Sequence, residues 1–371
     1  MCAVKKITGA SKGNISKHSD TTLTDAKNIT GQQLWASRWV VGSTDTLYST
    51  TDPDATASWG DLVTDGLFSD STKIKNIAYG EDDFGGKLWV IGTNSTDAEI
   101  GYCEDFPDAL ARNFDAAGGD PKWTAVAFSG NQLAASGGPG VAFANGVWLA
   151  GGFYTGTNPN ITSIKRSIDG AETWSKITDA PQQAQPARSV CYKSGDTWFA
   201  TNDSDIWKST DNGASWDLEN ADPGNITGVL YCMAYDGEGV WVAAGNDVGG
   251  DLAVSDDDWS SDSAVYSDFG GSSNKIWGVV FVERLEKWIA VGQSGKISLS
   301  SDRTATSWTA QTSGVSDTLN GVATDGRTIV ACGDNGTIVS STDGVNWTAT
   351  TEGLAGNLEC IACDIVGEGM R

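Results

Sequence analysis

The sequence contains one histidine, and this scarcity excludes most sites that depend on an imidazole. His18 lies near the N-terminus, and no second histidine can complete a His-ligated zinc site. Ser-His-Asp triads and Cys-His pairs need a histidine that a folded domain holds beside the nucleophile. We therefore exclude these classes of enzyme.

Long hydrophobic runs are also lacking. No run approaches the 18 apolar residues that a membrane-spanning helix requires, so no membrane insertion is expected. Basic residues near Met1 are not followed by an apolar segment, so no secretory signal is expected.

Paired cysteine spacing is absent too. Cys360 and Cys363 match a Cys-x-x-Cys pattern superficially, without a second pair or a nearby histidine. We expect all seven cysteines to be buried and reduced, which fits synthesis in a reducing compartment.

Positive charge is scarce and unevenly placed. The chain has 48 acidic and 24 basic residues, a net charge of −24, yet residues 1–30 carry five Lys and two Asp. An acidic body argues against binding nucleic acid. The basic segment has two interpretations, a solvated tail or an arm that contacts an acidic neighbour or another copy of the chain. In the second case, the candidate partner-binding residues are Lys5, Lys6, Lys12 and Lys17.

What the chain has in abundance is Gly and Trp, 46 and 16 residues, arranged in a repeat. The repeated motif is a Trp followed by small apolar residues and, in most copies, a Gly. It begins at Trp39, Trp89, Trp148, Trp198, Trp241 and Trp288, and a seventh copy without Trp begins at Ile329. The spacings are 50, 59, 50, 43, 47 and 41 residues. Such a period is typical of propeller blades.

Each Trp-led copy lies between two further features. Before it comes a short apolar strand in six copies, at 76–79, 140–143, 189–192, 231–234, 278–281 and 321–324. After it comes a turn rich in Ser, Asp and Gly that ends in Trp, which we call the Ser-Asp turn. The clearest turns contain Ser167, Asp169 and Trp174; Ser209, Asp211, Gly213 and Trp216; and Ser341, Asp343 and Trp347. Degraded copies end at Trp59, Trp259 and Trp308, and the second repeat shows only Trp123.

We interpret the Ser-Asp turns as hairpin staples, with side-chain hydrogen bonds to the turn backbone. The repeat predicts an all-β, seven-bladed β-propeller of four-stranded antiparallel blades over residues 31–371, with an extended N-terminal arm at 1–30. The seventh first strand is expected at 359–364, where it would complete the first blade and close the ring; residues 33–36 are a rival for that strand.

The turns resemble the Asp-box, or BNR repeat, whose motif is Ser-x-Asp-x-Gly-x-x-Trp, and the resemblance covers about residues 31–371. Asp-box propellers include sialidases, some endoglucanases, sortilin-type receptors, photosystem assembly factors and many bacteriophage virion proteins. The resemblance implies a fold and leaves the activity open.

Enzymatic alternatives have little support in the residues. A sialidase-like arginine cluster is hard to build from eight Arg, and the family's Phe/Tyr-Arg-Ile-Pro signature is absent. A glycoside hydrolase with paired carboxylates stays open, because 48 acidic residues offer many pairs. An assembly factor is expected to carry an export signal and a basic patch, and neither is visible. A structural Ca²⁺ at 256–258 or 203–205 is a further alternative.

We therefore predict a non-enzymatic virion structural protein of a bacteriophage, a capsid decoration or tail-associated propeller, assembled in the host cytoplasm. It needs no cofactor, is anchored by its arm, and binds other virion proteins or its own copies, with a host-surface glycan as a further candidate partner. The alternative is a soluble carbohydrate-binding propeller with exposed aromatic side chains such as Tyr154 or Tyr266. Partner-binding loops are expected in the insertions at 82–86, 104–122 and 152–163.

Overall fold

A computed structural model describes residues 37–44, 46–53, 59–62, 74–81, 87–93, 99–104, 124–127, 140–152, 164–177, 187–221, 223, 228–246, 252–261, 264–266, 275–350 and 354–364. These residues form seven four-stranded antiparallel sheets. The predicted all-β propeller fold is confirmed. The arm residues Lys5, Lys6, Lys12 and Lys17, the rival strand at 33–36 and the three insertions lie outside the described residues, apart from the insertion ends at Glu104 and Gly152.

The strands follow one order in every sheet. The innermost strands are β28 (Cys360–Cys363), β4 (Ile74–Glu81), β8 (Val141–Ala144), β12 (Ala187–Ser194), β16 (Val229–Tyr235), β20 (Ile276–Val282) and β24 (Leu319–Thr324). The second strands are β1 (Trp39–Gly42), β5 (Lys87–Thr93), β9 (Val147–Gly151), β13 (Thr197–Asn202), β17 (Trp241–Asn246), β21 (Lys287–Gly292) and β25 (Ile329–Gly333). The apolar and Trp-led segments of the repeat thus form the two inner strands of each blade.

The two outer strands flank the Ser-Asp turns. The third strands are β2 (Leu47–Thr50), β6 (Glu99–Glu104), β10 (Ile164–Ser167), β14 (Asp205–Ser209), β18 (Leu252–Ser255), β22 (Ile297–Ser300) and β26 (Ile338–Ser341). The outermost strands are β3 (Gly60–Leu62), β7 (Thr124–Ala127), β11 (Ser175–Lys176), β15 (Asp217–Ala221), β19 (Ala264–Tyr266), β23 (Trp308–Gln311) and β27 (Thr348–Thr350). Short 3-10 turns occur at Glu283–Leu285, Gln293–Gly295 and Asp334–Gly336.

The ring is closed through the C-terminal strand. β28 pairs antiparallel with β1, with Cys363 opposite Trp39 and Cys360 opposite Gly42, so blade 1 combines both ends of the described chain. The innermost strands contact one another in an unbroken cycle, β28, β4, β8, β12, β16, β20, β24 and back to β28. We number the blades 1 to 7 in this order. Closure removes the open edges that a single sheet would expose.

The core lies between blades rather than inside one. Seven apolar clusters of described residues each combine side chains from two neighbouring blades. On β20, Val279 and Phe281 pack towards blade 5, while Val280 and Val282 pack towards blade 7. Because side chains alternate between the two faces of a strand, strands buried on both faces need the nearly continuous apolar runs seen in the sequence.

One expectation about the cysteines is wrong. Cys191 is disulfide-bonded. The other described cysteines with free thiols are buried, and burial raises the pKa of Cys232 and of Cys360 to about 12. Sequence spacing did not reveal the disulfide, because the fold sets which cysteines approach one another.

Candidate functional site

The Ser-Asp turns connect the third and outermost strands and cap them with side-chain hydrogen bonds. In blade 4, the Ser209 Oγ donates to Asp211 Oδ1 at 2.8 Å and accepts from the Gly213 amide at 2.9 Å. Asp211 Oδ1 also accepts from the Ser215 amide at 2.8 Å, and the Trp216 Nε1 donates to the Gly213 carbonyl at 3.2 Å. Gly213 has φ +80°, and a Cβ there would lie 2.7 Å from Leu149.

Blades 3 and 7 repeat this arrangement. The Ser167 Oγ donates to Asp169 Oδ1 at 2.8 Å and the Ser341 Oγ donates to Asp343 Oδ1 at 3.1 Å. The Nε1 of Trp174 donates to the Ala171 carbonyl at 2.9 Å, and the Nε1 of Trp347 donates to the Gly344 carbonyl at 3.1 Å. The named serines, aspartates and tryptophans thus hold hairpins at one end of the propeller.

These hydrogen bonds favour the ionised form of the turn carboxylates. Backbone and side-chain donors of Asn346 hold the pKa of Asp343 far below its usual range. For Asp211, burial acts to raise the pKa, but the hydrogen bonds from Ser215 and Ser209 outweigh burial and lower it. These carboxylates are exposed acceptors whose hydrogen-bonding capacity is used inside the turn. These hydrogen bonds stabilise the Ser-Asp turns.

Trp259 departs from its predicted place. The sequence suggests that it ends the turn of blade 5, but it occupies the position that Gly213 has in blade 4. Its amide donates to the Ser255 Oγ at 2.9 Å, its φ is +67°, and its side chain is fully buried between blades 4 and 5. The prediction is wrong because burial of the Trp259 side chain compensates the strain of a left-handed backbone conformation at this residue.

The fourth residue of the turn ties neighbouring blades together. The Trp241 Nε1 donates to Asp258 Oδ1 at 3.0 Å, and Asp258 pairs with Lys193 of blade 4. The Trp288 Nε1 donates to the Arg303 carbonyl at 2.7 Å, and Arg303 Nη1 lies 2.9 Å from Asp236 Oδ2 of blade 5.

Asn212 makes the same connection in blade 4. Its Oδ1 accepts from the Trp198 Nε1 at 2.9 Å, and its Nδ2 donates to the Asn145 carbonyl of blade 3 at 3.1 Å. Two of the acidic residues considered as calcium ligands form ion pairs, Asp258 with Lys193 and Asp203 with Arg188. Among the described residues, no group of three or more His, Cys, Asp or Glu is arranged to hold a metal ion.

A second constellation lies at the other end of the innermost strands. Five of these strands have a β-bulge at their start, where one extra residue interrupts the register with the second strand. The extra residues, together with Glu359 at the equivalent point before β28, define what we call the entrance ring: Lys75, Arg188, Tyr231, Trp277, Asn320 and Glu359. The equivalent residue of blade 3, Pro139, lies outside the described residues.

The ring residues are half-buried, although each follows a fully buried residue. Equivalent residues of neighbouring blades touch: Lys75 Nζ lies 2.6 Å from Glu359 Oε2, and the rings of Tyr231 and Trp277 are 4.3 Å apart. The side chains therefore lie at one level, around one end of the central channel that a propeller encloses. Bulges re-aim side chains at such rims, which explains why this position escapes the core.

Cations flank the aromatic pair. The Arg188 guanidinium lies 5.3 Å from the centre of the Tyr231 ring, and Lys275 Nζ lies 5.6 Å from the centre of the Trp277 ring. Arg188 also pairs with Asp203 at 3.2 Å. Blades 4, 5 and 6 thus present a row of cation, aromatic, aromatic and cation.

The opposite side of the ring is polar. Asn320 Nδ2 donates to Asp334 Oδ1 and to the Leu358 carbonyl, both at 3.0 Å, and Lys75 and Glu359 neutralise each other. Sequence reasoning did not single out this ring. When the repeats are aligned, the signal is one chemically variable position that directly follows a column of apolar residues.

Comparison with known proteins supports the fold. No family model and no curated protein sequence matches the chain. The structure is similar to YCF48 from Cyanidioschyzon merolae, with a TM-score of 0.52 and 14% identity over 76% of this chain and 85% of that one. It is similar to YCF48 bound to a D1 peptide, with a TM-score of 0.52 and 14% identity over 76% and 82%.

A third similar structure is the WD40 β-propeller domain of Doa1, with a TM-score of 0.53 and 14% identity over 85% of this chain and 90% of that one. Identity this low shows a shared fold alone and gives no information on activity. The chain is a β-propeller. None of the helices in its described residues is long and apolar enough to span a bilayer.

Proposed function

We propose that this protein is a non-enzymatic, cofactor-free propeller that binds other proteins, and that the entrance ring is its contact site. The observation that carries the proposal is the row formed by Arg188, Tyr231 and Trp277 across three blades. Tyr, Trp and Arg are the residues most enriched where protein interfaces gain their binding energy. Rigid blades hold these side chains half-buried, so little freedom is lost when a partner covers them.

A bacteriophage particle is the setting that we propose, with the protein as a capsid decoration or tail-associated module assembled in the host cytoplasm. Support comes from the Asp-box resemblance and from the contrast between the basic residues 1–30 and the acidic remainder. In this proposal, the basic arm anchors the chain to the particle by contact with an acidic surface, and the propeller presents the entrance ring to a second partner. The propeller of YCF48 has been solved with a D1 peptide, which shows that one similar fold accepts a peptide.

A carbohydrate-binding function is the second candidate, and the Tyr231–Trp277 pair is the observation that favours it. Among the described residues, however, no Trp or Tyr is exposed, and Tyr154 and the side chain of Tyr266 lie outside them. Sugars stack on open aromatic faces, whereas Tyr231 and Trp277 already pack against each other with tilted rings and each has a cation nearby. Protein contact therefore fits the pair better.

Sedimentation of the native protein from its source lysate, with mass spectrometry of the fast fraction, tests the proposed setting. We expect the protein to migrate with a particle of megadalton size. Replacing Lys5, Lys6, Lys12 and Lys17 with Gln, or deleting 1–30, should release a folded propeller. Migration of the unaltered chain as a lone species of 38.8 kDa would contradict the particle setting and direct attention to glycan arrays.

A further inference from the structure

We propose that the entrance ring recognises a protein segment that carries carboxylate side chains, with Lys275 and Arg188 as the anion-binding groups and the Tyr231–Trp277 pair as the adjacent apolar contact. The inference rests on the proposed function and names the chemistry of the partner. It follows from three features: an ammonium beside the ring that has no ion pair among the described residues, a ring guanidinium with one edge unused, and the charge of the remaining surface.

Lys275 is the first feature. The chain has twice as many acidic as basic residues, yet no carboxylate among the described residues pairs with Lys275. Lys275 is half-buried, its Nζ lies 5.6 Å from the Trp277 ring centre, and it forms no ion pair within the described part of the chain. Contact with a ring face compensates only part of the hydration that a half-buried ammonium loses. An external carboxylate would supply the rest.

Arg188 is the second feature. Its Nε and Nη2 both point at one oxygen, Asp203 Oδ1, at 3.3 and 3.2 Å. A guanidinium has five N–H donors in a fixed fork, and a second carboxylate can engage the edge that includes Nη1. Nη1 has no hydrogen-bond partner among the described residues. Arg188 therefore retains capacity for a second charge-assisted contact.

The remaining surface is the third feature, because it repels acidic segments. At the far end of β16, about 13 Å from Tyr231 for four residues of extended strand, Asp236, Asp258 and Glu238 surround Tyr235. Burial and these three charges raise the pKa of Tyr235 to about 12. Lys193 and Arg303 neutralise part of this charge, but the three carboxylates outnumber these two cations. An acidic segment is thus disfavoured at the Ser-Asp turn end and over a chain of net charge −24, which directs it to the ring.

The two halves of the ring also differ in their capacity to bind an anion. Lys75 is neutralised by Glu359 at 2.6 Å, and Asn320 is held by Asp334, so the arc from blade 7 to blade 2 offers no surplus positive charge. Among the described residues around the ring, the anion-binding capacity lies on blades 4 to 6, beside the aromatic pair. A suitable segment therefore combines Asp or Glu with a neighbouring apolar or aromatic side chain.

The test is selection from a displayed library of random 12-residue peptides on the immobilised full chain. Selections use the wild type, the double variant Lys275→Gln/Arg188→Gln, the variant Trp277→Ala, and Lys287→Gln as a control. The control removes one lysine charge at the Ser-Asp turn end, because Lys287 begins β21 after the 3-10 turn. A cooperative urea unfolding transition, with its midpoint well above the urea-free selection conditions, establishes that each variant is folded.

We expect the wild type and Lys287→Gln to enrich peptides that place Asp or Glu beside apolar residues. These peptides should bind the double variant at least about tenfold more weakly, as the loss of one charge-assisted hydrogen bond or more predicts. Enriched peptides that keep their affinity when Asp and Glu become Asn and Gln, yet fail to bind Trp277→Ala, would overturn the carboxylate inference and leave the protein-binding function standing. No enriched peptide, with or without binding to a glycan array, would overturn both.

Discussion

Removing the Arg303 side chain should destabilise the propeller far more than removing an equivalent surface lysine. Arg303 connects blade 6 to blade 5: its Nη1 lies 2.9 Å from Asp236 Oδ2, and its guanidinium lies 4.5 Å from the Phe281 ring centre. The Asp236 side chain has no exposed surface. Arg303→Gln therefore leaves a fully buried carboxylate without its counter-charge.

The expected cost follows from what Asp236 retains. Breaking a buried ion pair by removing one partner costs about 3–5 kcal/mol. Asp236 Oδ1 keeps three hydrogen bonds, from the amides of Glu238, Gly239 and Val240 at 2.8 to 2.9 Å, which partly compensate the charge. We therefore expect a loss of about 2–3 kcal/mol for Arg303→Gln.

Urea unfolding followed by tryptophan fluorescence measures the loss, with circular dichroism as a second probe of whether the transition is two-state. Lys193→Gln is the matched control, because Lys193 pairs with Asp258 across the preceding blade boundary and both side chains are about one quarter exposed. It should cost about 1 kcal/mol or less. The double variant Arg303→Gln/Asp236→Asn should recover part of the loss. Equal effects of Arg303→Gln and Lys193→Gln, or no recovery, would refute the reasoning.

Four further substitutions test other parts of the account. Trp216→Ala should cost about 3–5 kcal/mol, because Trp216 is 4% exposed in the core between blades 3 and 4, whereas Trp277→Ala in the half-buried ring should cost clearly less by the same urea assay. Trp259→Gly relieves a positive φ but removes a fully buried indole. The free energy of unfolding should therefore fall by about 2–4 kcal/mol, measured as a lower urea midpoint. A higher midpoint would contradict the packing role of Trp259. Asp343→Ala should lower the free energy of unfolding at neutral pH. Because the folded pKa of Asp343 is depressed, the difference in free energy of unfolding between wild type and variant should narrow as the pH falls below about 4. A difference that does not change with pH would be evidence against the ionised turn.

The blades were predictable because their signals are periodic. The segments at 278–281 and 321–324 lie within β20 and β24, and the Trp-led copies begin or nearly begin each second strand. Strands buried on both faces need apolar residues, so the apolar pattern survives at every copy, even where Ile329 stands in place of Trp. The segment at 359–364 was readable for the same reason, since it contains the apolar strand that blade 1 lacks at its own end.

The entrance ring was not predictable in this way. Tyr231 and Trp277 look like ordinary core residues of an apolar strand, and only the bulge after Leu230 or Ile276 turns them towards the channel. A bulge has no strong sequence signature, and its position depends on the register with the neighbouring strand. Trp259 was misplaced for a related reason, because a Trp in the left-handed conformation violates the local preference that makes turns readable.

Lysine footprinting in the source lysate tests most directly whether the entrance ring holds a partner. Fresh lysate and purified protein are treated with the same amine-acetylating reagent, and mass spectrometry compares the modification of Lys275 with that of Lys287, which lies at the other end of the propeller. The account predicts that Lys275 is protected in the lysate and becomes reactive after purification, while Lys287 reacts equally in both. Equal modification of Lys275 in lysate and in purified protein would contradict the account.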